Sequence, residues 1–313
     1  MNNILVTRTL PSSAIAKLRA VGTVDQYSGD EGLTPVELRQ RVADKDALVC
    51  LMTDAIDKAV IDAGTNLKVV ANVAAGYNNI DVAYARSRGI VVTNTPDVLT
   101  ESVADYTWAL ILSMTRRLAE GDRLIRRGGW KRWTFDFMLG SELRGKQLGL
   151  VGFGRIGRAV AARAPAFGMR VVYTSASSVV PSFERMSLER LLNTSDIVSL
   201  HVPLVTETRH LIDKMALTRM KRSAYLVNAA RGPVVDEAAL AWALDQRLIA
   251  GAALDVFANE PDVHPALLPL ENVLLVPHLA SATTETRTSM ADLAVENVLA
   301  VLAGRPPLTG IPA

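Results

Sequence analysis

Arg231, Glu260 and His278 are the residues of this 313-residue chain best suited to acid–base and anion chemistry. Each follows a different short apolar run, and such runs are typical of buried strands. Because the carboxyl ends of parallel strands meet at one edge of a sheet, we expect the three side chains on one rim. A histidinium can donate a proton to a carbonyl oxygen while a carboxylate orients it, and a guanidinium can hold a carboxylate through two hydrogen bonds. The set therefore fits hydride transfer to a 2-keto acid.

Proton transfer by histidine has four candidates, His201, His210, His264 and His278. His278 lies at a predicted strand end, as the chemistry requires. His201 also follows an apolar run, but we expect it near the adenine end of a cofactor, with a cofactor-side or structural role. His210 and His264 lie in polar or loop contexts and are predicted to be surface residues.

The strongest local motif is the sequence G-x-G-x-x-G at 152–157, which follows a predicted strand and begins a predicted helix. Gly152 permits a tight turn, Gly154 lets the backbone approach a pyrophosphate, and Gly157 lets the helix pack closely on the strand. The helix N-terminus then offers N–H groups to the phosphates. This context predicts dinucleotide binding.

The residue that ends the next predicted strand bears on the choice between NAD and NADP. An acid there would bind the ribose 2′-hydroxyl and repel a 2′-phosphate, but this chain has Ser175. No Arg or Lys occurs within 174–182 to hold such a phosphate. We therefore expect the chain to tolerate NADP, with the preference between NADP and NAD left open.

Short apolar runs alternate with amphipathic stretches, which indicates βαβ units and parallel sheets. The predicted strands are 4–7, 47–52, 67–73 and 90–93 in the first half, and 147–151, 170–173, 197–201, 224–228, 251–255 and 273–276 in the second. Two long helices, at about 100–127 and 284–303, flank the second set. The first has an apolar face with Trp108, Ile111, Leu112 and Leu118. After it, Trp130, Trp133, Phe135 and Phe137 suit a pocket or an oligomer surface, although packing explains most of them more simply.

Composition excludes several classes of protein. The 34 Lys and Arg residues are scattered among 32 acids, so the sequence gives no support for nucleic-acid binding. The most apolar run, 108–114, is too short to span a membrane, and the N-terminus does not resemble a signal peptide. A single cysteine, Cys50, excludes an intramolecular disulfide and a Cys-rich metal site. We expect a buried, inert thiol, no metal, no membrane partner and a cytoplasmic location.

Over nearly its whole length the chain resembles the D-isomer-specific 2-hydroxyacid dehydrogenases. The resemblance rests on the glycine turn and on the segments 72–81, 94–96, 100–105, 198–204, 228–232, 254–261 and 277–283. It implies an α/β fold of two Rossmann-like, doubly wound parallel-sheet domains with an active-site cleft between them. Residues 1–99 and 285–313 would form a flavodoxin-like substrate-binding domain, and residues 100–284 a dinucleotide-binding Rossmann domain. The usual assembly is a homodimer, and the helix after Thr100 with the Trp-rich segment resembles the dimerising arm.

The resemblance also implies roles for individual residues. Arg231 would bind the substrate carboxylate and carbonyl, and Glu260 would pair with His278, the acid/base. Substrate contacts would come from Leu51, Met52, Ala75, Gly76, Arg231 and His278. Cofactor contacts would come from Thr100, Val103, Gly152, Gly154, Arg155, Ile156, Gly157, Ser175, His201, Val202, Pro203, Thr208, Asn228, Ala229, Ala230, Asp255, His278 and Ala280. Among these, Asp255 would orient the nicotinamide amide, and Ala280 departs from the usual Gly.

Segments 51–57 and 130–139 look most like glyoxylate/hydroxypyruvate reductases and 2-ketogluconate reductases. The favoured function is therefore NAD(P)H-dependent reduction of a small 2-keto acid, glyoxylate or hydroxypyruvate, to the D-2-hydroxy acid. A 2-ketogluconate reductase, a phosphite-type dehydrogenase of the same fold and a non-catalytic NAD(H)-sensing regulator remain as alternatives. Glu260 argues against a formate dehydrogenase, in which a Gln holds the histidine.

Overall fold

A computed structural model describes residues 1–29, 31–176 and 179–311. Ser177 and Ser178 lie outside the described residues. They belong to the stretch 174–182, on which the expected tolerance of NADP depends. The chain forms two compact units, Met1–Leu99 with Ala282–Ala313 and Thr100–Ser281. The chain thus returns to the first unit at residue 282, whereas the sequence prediction places this boundary at residue 285.

The first unit is a parallel sheet with helices on both faces. Among the described residues its strands are β1 (Asn2–Val6), β2 (Gly22–Gln26), β3 (Ala47–Cys50), β4 (Val69–Asn72) and β5 (Val91–Thr93), in the spatial order β2-β1-β3-β4-β5. Its helices are α1 (Ser12–Arg19), α2 (Pro35–Val42), α3 (Lys58–Ala63) and α4 (Val82–Ser87), and the last helix of the chain, Thr284–Leu302, packs against α1.

Both faces of this first sheet are buried. Leu5 and Leu48 pack with residues of α2 and α3 on one face, whereas Ile4 and Val49 pack with α1 and the last helix on the other. Successive side chains of a strand point to opposite faces, so a strand covered on both sides consists almost entirely of apolar residues. Cys50 lies at the end of β3 and is buried, as predicted, and burial raises the pKa of its thiol.

The second unit is a longer parallel sheet. Its described strands are β6 (Gln147–Val151), β7 (Arg170–Thr174), β8 (Glu184–Arg185), β9 (Ile197–Leu200), β10 (Tyr225–Asn228), β11 (Gly251–Leu254) and β12 (Val273–Leu275), in the order β12-β11-β10-β9-β6-β7-β8. Its helices are α5 (Thr100–Thr115), α6 (Leu118–Arg126), α7 (Arg155–Arg163), α8 (Leu188–Thr194), α9 (Lys214–Arg219) and α10 (Glu237–Asp245); the last helix, Thr284–Leu302, is α11. The strand order reverses between β6 and β9, and ligands of such sheets bind at this kind of switch point.

The helix predicted at 100–127 is wrong as a single element. It ends at Thr115, and a separate helix begins at Leu118 after Arg117 adopts a left-handed conformation with φ of 56°. Leu118, predicted on the buried face, is 58% exposed, whereas Trp108 and Ile111 are buried. Among the described residues, no helix combines the length and the apolar composition needed to cross a bilayer.

Candidate active site

Three neighbouring strands of the second unit present the residues that could carry acid–base chemistry. Arg231 follows β10, Asp255 follows β11 and His278 follows β12. These strands pair in parallel, β10 with β11 and β11 with β12, so their carboxyl ends lie side by side. The fold thus places the three side chains on one rim of the sheet.

His278 and Glu260 form a hydrogen-bonded pair. Nδ1 of His278 lies 2.8 Å from Oε2 of Glu260, and the two side chains are 25% and 27% exposed. The other carboxylate oxygen of Glu260 accepts the Phe257 amide at 3.0 Å, which fixes the carboxylate plane. An ionised carboxylate only accepts, so Nδ1 carries the proton of this bond and Nε2 faces away from it.

Desolvation raises the pKa of Glu260, but the hydrogen bonds from His278 and the Phe257 amide and the charges of His278 and Arg231 together outweigh it. The net result is a pKa below the usual value for a glutamate. The carboxylate is therefore anionic near neutral pH. This anion orients the imidazole through Nδ1, so Nε2 is the ring nitrogen left to exchange a proton with a ligand.

The loop after β10 holds Arg231 through its own backbone. Asn228 is buried; its side-chain amide donates to the Arg231 carbonyl at 3.0 Å, and its side-chain oxygen accepts the Ala230 amide at 3.1 Å. Nη1 of Arg231 donates to the Ala230 carbonyl at 2.7 Å. Burial lowers the pKa of the Arg231 guanidinium, and the nearby Glu260 carboxylate opposes this effect.

Gly232 brings the arginine loop against the glutamate loop. A Cβ at Gly232 would lie 1.9 Å from the carbonyl carbon of Phe257, so only glycine permits this backbone approach. The loop beyond Phe257 is also held from α10, because the buried Glu237 accepts the Ala258 amide at 2.6 Å. The loops that carry Arg231 and Glu260 are thereby fixed against each other.

Asp255 clamps the turn that carries His278. Its carboxylate accepts the amides of Leu279 at 2.7 Å and Ala280 at 3.0 Å, and its carbonyl accepts the His278 amide at 2.9 Å. Desolvation raises the pKa of this fully buried carboxyl, against the effect of its two backbone donors. His278 itself has φ of 52°, a conformation that non-glycine residues seldom adopt and that the three bonds stabilise.

The glycine turn after β6 has the geometry that a dinucleotide requires. Gly152 has φ of 96°, and a Cβ there would lie 2.4 Å from the His201 carbonyl. A Cβ at Gly157 would lie 2.5 Å from the Gly152 carbonyl, so the helix packs tightly on the strand. A Cβ at Gly154, in contrast, would have no described heavy atom within 4 Å apart from those of its chain neighbours. This open space at the start of α7 fits a pyrophosphate approaching the backbone.

The remaining cofactor candidates of the second unit lie at the same edge of the sheet or beside it. Ser175 follows β7; His201, Val202, Pro203 and Thr208 follow β9; Ala229 and Ala230 follow β10; Arg155 and Ile156 begin α7. Thr100 and Val103 lie in the first turn of α5, and Ser102 beside them donates to the Ala280 carbonyl at 2.9 Å. This bond ties the start of α5 to the segment after His278.

The other three histidines differ from His278 in their surroundings. His201 is half-buried, its Nε2 lies 2.9 Å from the Ser199 hydroxyl, and desolvation of the ring lowers its pKa to about 4. His210 is exposed, as predicted. His264, also predicted at the surface, is half-buried, and its Nδ1 accepts the Ala266 amide at 3.3 Å.

In the first unit, a polar network orders the loops predicted to contact substrate. After β3, the Leu51 amide donates to the buried Asp54 carboxylate at 2.8 Å, and Asn79 donates to the Leu51 carbonyl at 3.1 Å. Met52 is the next residue of that loop. After β4, Asn94 donates to the Ala75 carbonyl at 2.6 Å and Asn72 to the Gly76 carbonyl at 2.9 Å. Sequence analysis missed these supporting residues, because buried Asn and Asp look like ordinary loop residues in a sequence.

A cation that the sequence prediction did not include lies beside Ser175. Nη2 of Arg185 donates to the Ser175 carbonyl at 2.6 Å. Arg185 lies beyond the stretch 174–182 in the sequence. The pairing of β8 with β7 brings it back beside Ser175.

The aromatic segment after α6 is exposed, so packing is the wrong interpretation for most of it. Trp133 and Phe135 are 72% and 86% exposed, and Trp130 and Phe137 are exposed as well. Leu118 and Ile125 of α6 add to this apolar surface, and none of the residues of α6 is buried. We call these six residues the α6 surface.

Comparison with known proteins identifies relatives over the whole chain. Residues 108–280 match the family model described as D-isomer specific 2-hydroxyacid dehydrogenase, NAD binding domain. A glyoxylate reductase of Thermofilum pendens is 48% identical over 97% of this chain and 92% of its own length. A glyoxylate reductase of Thermococcus onnurineus is 45% identical over 98% of this chain and 94% of its own length.

Solved structures show the same fold. The crystal structure of the TT0316 protein of Thermus thermophilus has a TM-score of 0.94 at 46% identity, covering 99% of this chain and 100% of that one. An NADPH-dependent glyoxylate/hydroxypyruvate reductase of Sinorhizobium meliloti, in complex with NADP and malonate, has a TM-score of 0.89 at 36% identity. That match covers 99% of this chain and 96% of the other.

Proposed function

This chain belongs to the family of D-isomer-specific 2-hydroxyacid dehydrogenases, and we propose that it reduces glyoxylate to glycolate and hydroxypyruvate to D-glycerate. It is an oxidoreductase acting on CH–OH groups through a nicotinamide cofactor. The observation that carries the mechanism is the 2.8 Å contact of His278 with Glu260 on the rim that also bears Arg231. Names of relatives at 45–48% identity support the choice of substrates.

Arg231 binds the substrate in this proposal. Its desolvated guanidinium attracts the carboxylate of the 2-keto acid and, through a second edge, the carbonyl oxygen. The loop contacts through Asn228 and Gly232 hold the arginine backbone in place. The substrate is therefore oriented before any bond changes, which lowers the entropic part of the barrier.

His278 supplies the proton. A nicotinamide cofactor, held by the glycine turn at 152–157, would supply the hydride for the carbonyl carbon when bound. As the carbonyl oxygen gains negative charge, it takes the proton from Nε2 of His278, while Glu260 stabilises the imidazolium before the transfer. The product is the 2-hydroxy acid; the imidazole is left neutral, and solvent restores its proton.

The second unit is the dinucleotide-binding part in this proposal, and the first unit supplies further substrate contacts. Amides at Ala75 and Gly76 donate to the substrate carboxylate, and Leu51 and Met52 contact its distal end. Ser175, in place of an acid, allows NADP as well as NAD.

The six large apolar side chains of the α6 surface are exposed in the described chain, which supports a homodimer formed through this surface. The single buried Cys50 is compatible with a cytoplasmic location.

Steady-state kinetics on a panel of substrates tests the proposed function. Glyoxylate, hydroxypyruvate, pyruvate and 2-ketogluconate are compared with NADPH and with NADH, and phosphite oxidation is measured with NADP⁺ and NAD⁺. The proposal expects the highest kcat/KM with glyoxylate or hydroxypyruvate. A higher value with 2-ketogluconate or phosphite would contradict the substrate choice, and cofactor binding without turnover on any substrate would indicate a regulator.

A further inference from the structure

Arg185 ends β8, the short strand beside β7, and β7 is the strand that follows the glycine turn. The short strand β8 pairs in parallel with β7, with Arg185 opposite Tyr173. From this position Nη2 of Arg185 donates to the Ser175 carbonyl at 2.6 Å. The guanidinium is thus anchored beside Ser175, at the carboxyl end of β7.

This strand end is also adjacent to the glycine turn. Val151 at the end of β6 pairs with Thr174 at the end of β7, and the Gly152 amide donates to the Thr174 carbonyl at 2.9 Å. In dinucleotide-binding folds the adenine ribose lies at the end of this second strand. The ribose 2′ position therefore falls beside Ser175 and the anchored guanidinium.

The charge at this strand end is positive. Ser175 contributes no charge, and the neighbouring acid Glu184 lies 3.6 Å from Arg190, which offsets it. One N–H of Arg185 is used by the Ser175 carbonyl, and no acid of the described residues pairs with its guanidinium. A guanidinium has five N–H donors, so most of them remain for a phosphate, whose geometry the planar fork matches.

We propose that Arg185 binds the 2′-phosphate of NADPH and gives this chain a preference for NADPH over NADH. The proposal rests on the proposed use of a nicotinamide cofactor and adds the residue that selects between its two forms. The guanidinium keeps its bond to Ser175 and presents its remaining edge to the phosphate, so little side-chain order is lost on binding.

Equilibrium binding tests this assignment without turnover. Dissociation constants of NADPH, NADH, 2′,5′-ADP and 5′-AMP are measured by calorimetry for the wild type, Arg185→Gln and Arg222→Gln. We expect Arg185→Gln to weaken NADPH and 2′,5′-ADP at least tenfold and to change NADH and 5′-AMP by less than about twofold, as for a charge-assisted bond to phosphate. Arg222→Gln, which removes an exposed arginine at the amino end of β10, is expected to change all four by less than about twofold.

Ser175→Asp provides the opposite perturbation at the same place. It is expected to weaken NADPH binding strongly while NADH binding is retained, because an acid repels the 2′-phosphate. Equal effects of Arg185→Gln on NADPH and NADH, or no effect on either, would overturn the role of Arg185 and leave the reductase function intact. Failure of the wild type to bind either dinucleotide would instead overturn the proposed function.

Discussion

Nδ1 of His278 lies 2.8 Å from Oε2 of Glu260, and this contact joins the loops that follow the neighbouring strands β11 and β12. The contact uses Nδ1 of the imidazole and leaves Nε2 directed away from the carboxylate. Arg231 follows the next strand, β10, close enough for its charge to lower the pKa of Glu260. One sheet edge thus holds a proton donor, the anion that orients it and a cation for the substrate.

Replacing Arg231 tests the cation. Arg231→Lys keeps the charge but removes the planar fork that binds a carboxylate through two bonds. The KM for glyoxylate is expected to rise about tenfold or more, equivalent to about 1.4 kcal/mol, while the dissociation constant of NADPH changes by less than about twofold. An unchanged KM in steady-state assays would place the substrate carboxylate elsewhere.

Asp255 is expected to act by holding the turn at His278. Asp255→Asn preserves the shape but puts an NH₂ group where one of the amides of Leu279 and Ala280 now donates. The free energy of unfolding is expected to fall by about 1–3 kcal/mol, because a buried donor loses its partner. The kcat should fall as well. Asp262→Asn, at an exposed acid, is the control in denaturant unfolding and kinetics, and equal behaviour of the two variants would contradict a clamp.

His201 is expected to make stability depend on pH. Its pKa is lowered to about 4 in the folded chain, below the value near 6.5 of an exposed histidine, so the unfolded chain binds a proton first as the pH falls. Its contribution to stability is therefore complete above about pH 6.5 and is lost as the pH falls towards 4. Between pH 7 and pH 5 the loss amounts to at most about 2 kcal/mol.

Denaturant unfolding at the two pH values checks this dependence. The wild type should lose more stability on acidification than His201→Gln, which cannot take up the proton. His210→Asn, at an exposed histidine with φ of 52°, should behave like the wild type, because Asn tolerates that conformation. The same loss in wild type and His201→Gln would refute the assignment.

The α6 surface is expected to form the dimer interface. Sedimentation should give the wild type about twice the 33.7 kDa mass of one chain. Phe135→Asp should shift the protein to monomers, because a buried, unpaired carboxylate opposes association. Met215→Asp, at an exposed methionine of α9, should leave the mass unchanged. A monomeric wild type, or a Phe135→Asp variant that stays dimeric, would contradict this interface.

Sequence reasoning succeeds where a pattern is local. The glycine turn predicts β6, the turn and α7 together, and the predicted strand 147–151 matches β6 as Gln147–Val151. The strand β2 was missed because it lies at the edge of its sheet, where only Gly22 is buried and polar residues follow. The break between α5 and α6 was missed because Arg117 takes a left-handed conformation without a Gly or Pro to mark it.

Contacts between distant segments are where sequence reasoning fails. The bond from Arg185 to Ser175 depends on a strand of two exposed residues, Glu184–Arg185, which has no apolar signal. The clamp of Asp255 on Ala280 likewise depends on the pairing of β11 with β12. The stretch 174–182 contains no Arg or Lys, whereas the fold brings Arg185 to Ser175.

The most direct test of the mechanism compares turnover of glyoxylate by the wild type, His278→Gln, Glu260→Gln and the surface control His210→Asn. If Nε2 of His278 donates the proton, kcat in His278→Gln should fall by about 10²–10⁴-fold. Glu260→Gln should give a smaller fall, and the dissociation constant of the cofactor should change by less than about twofold in this variant. His210→Asn should match the wild type. Turnover by His278→Gln at the wild-type rate would contradict the central claim.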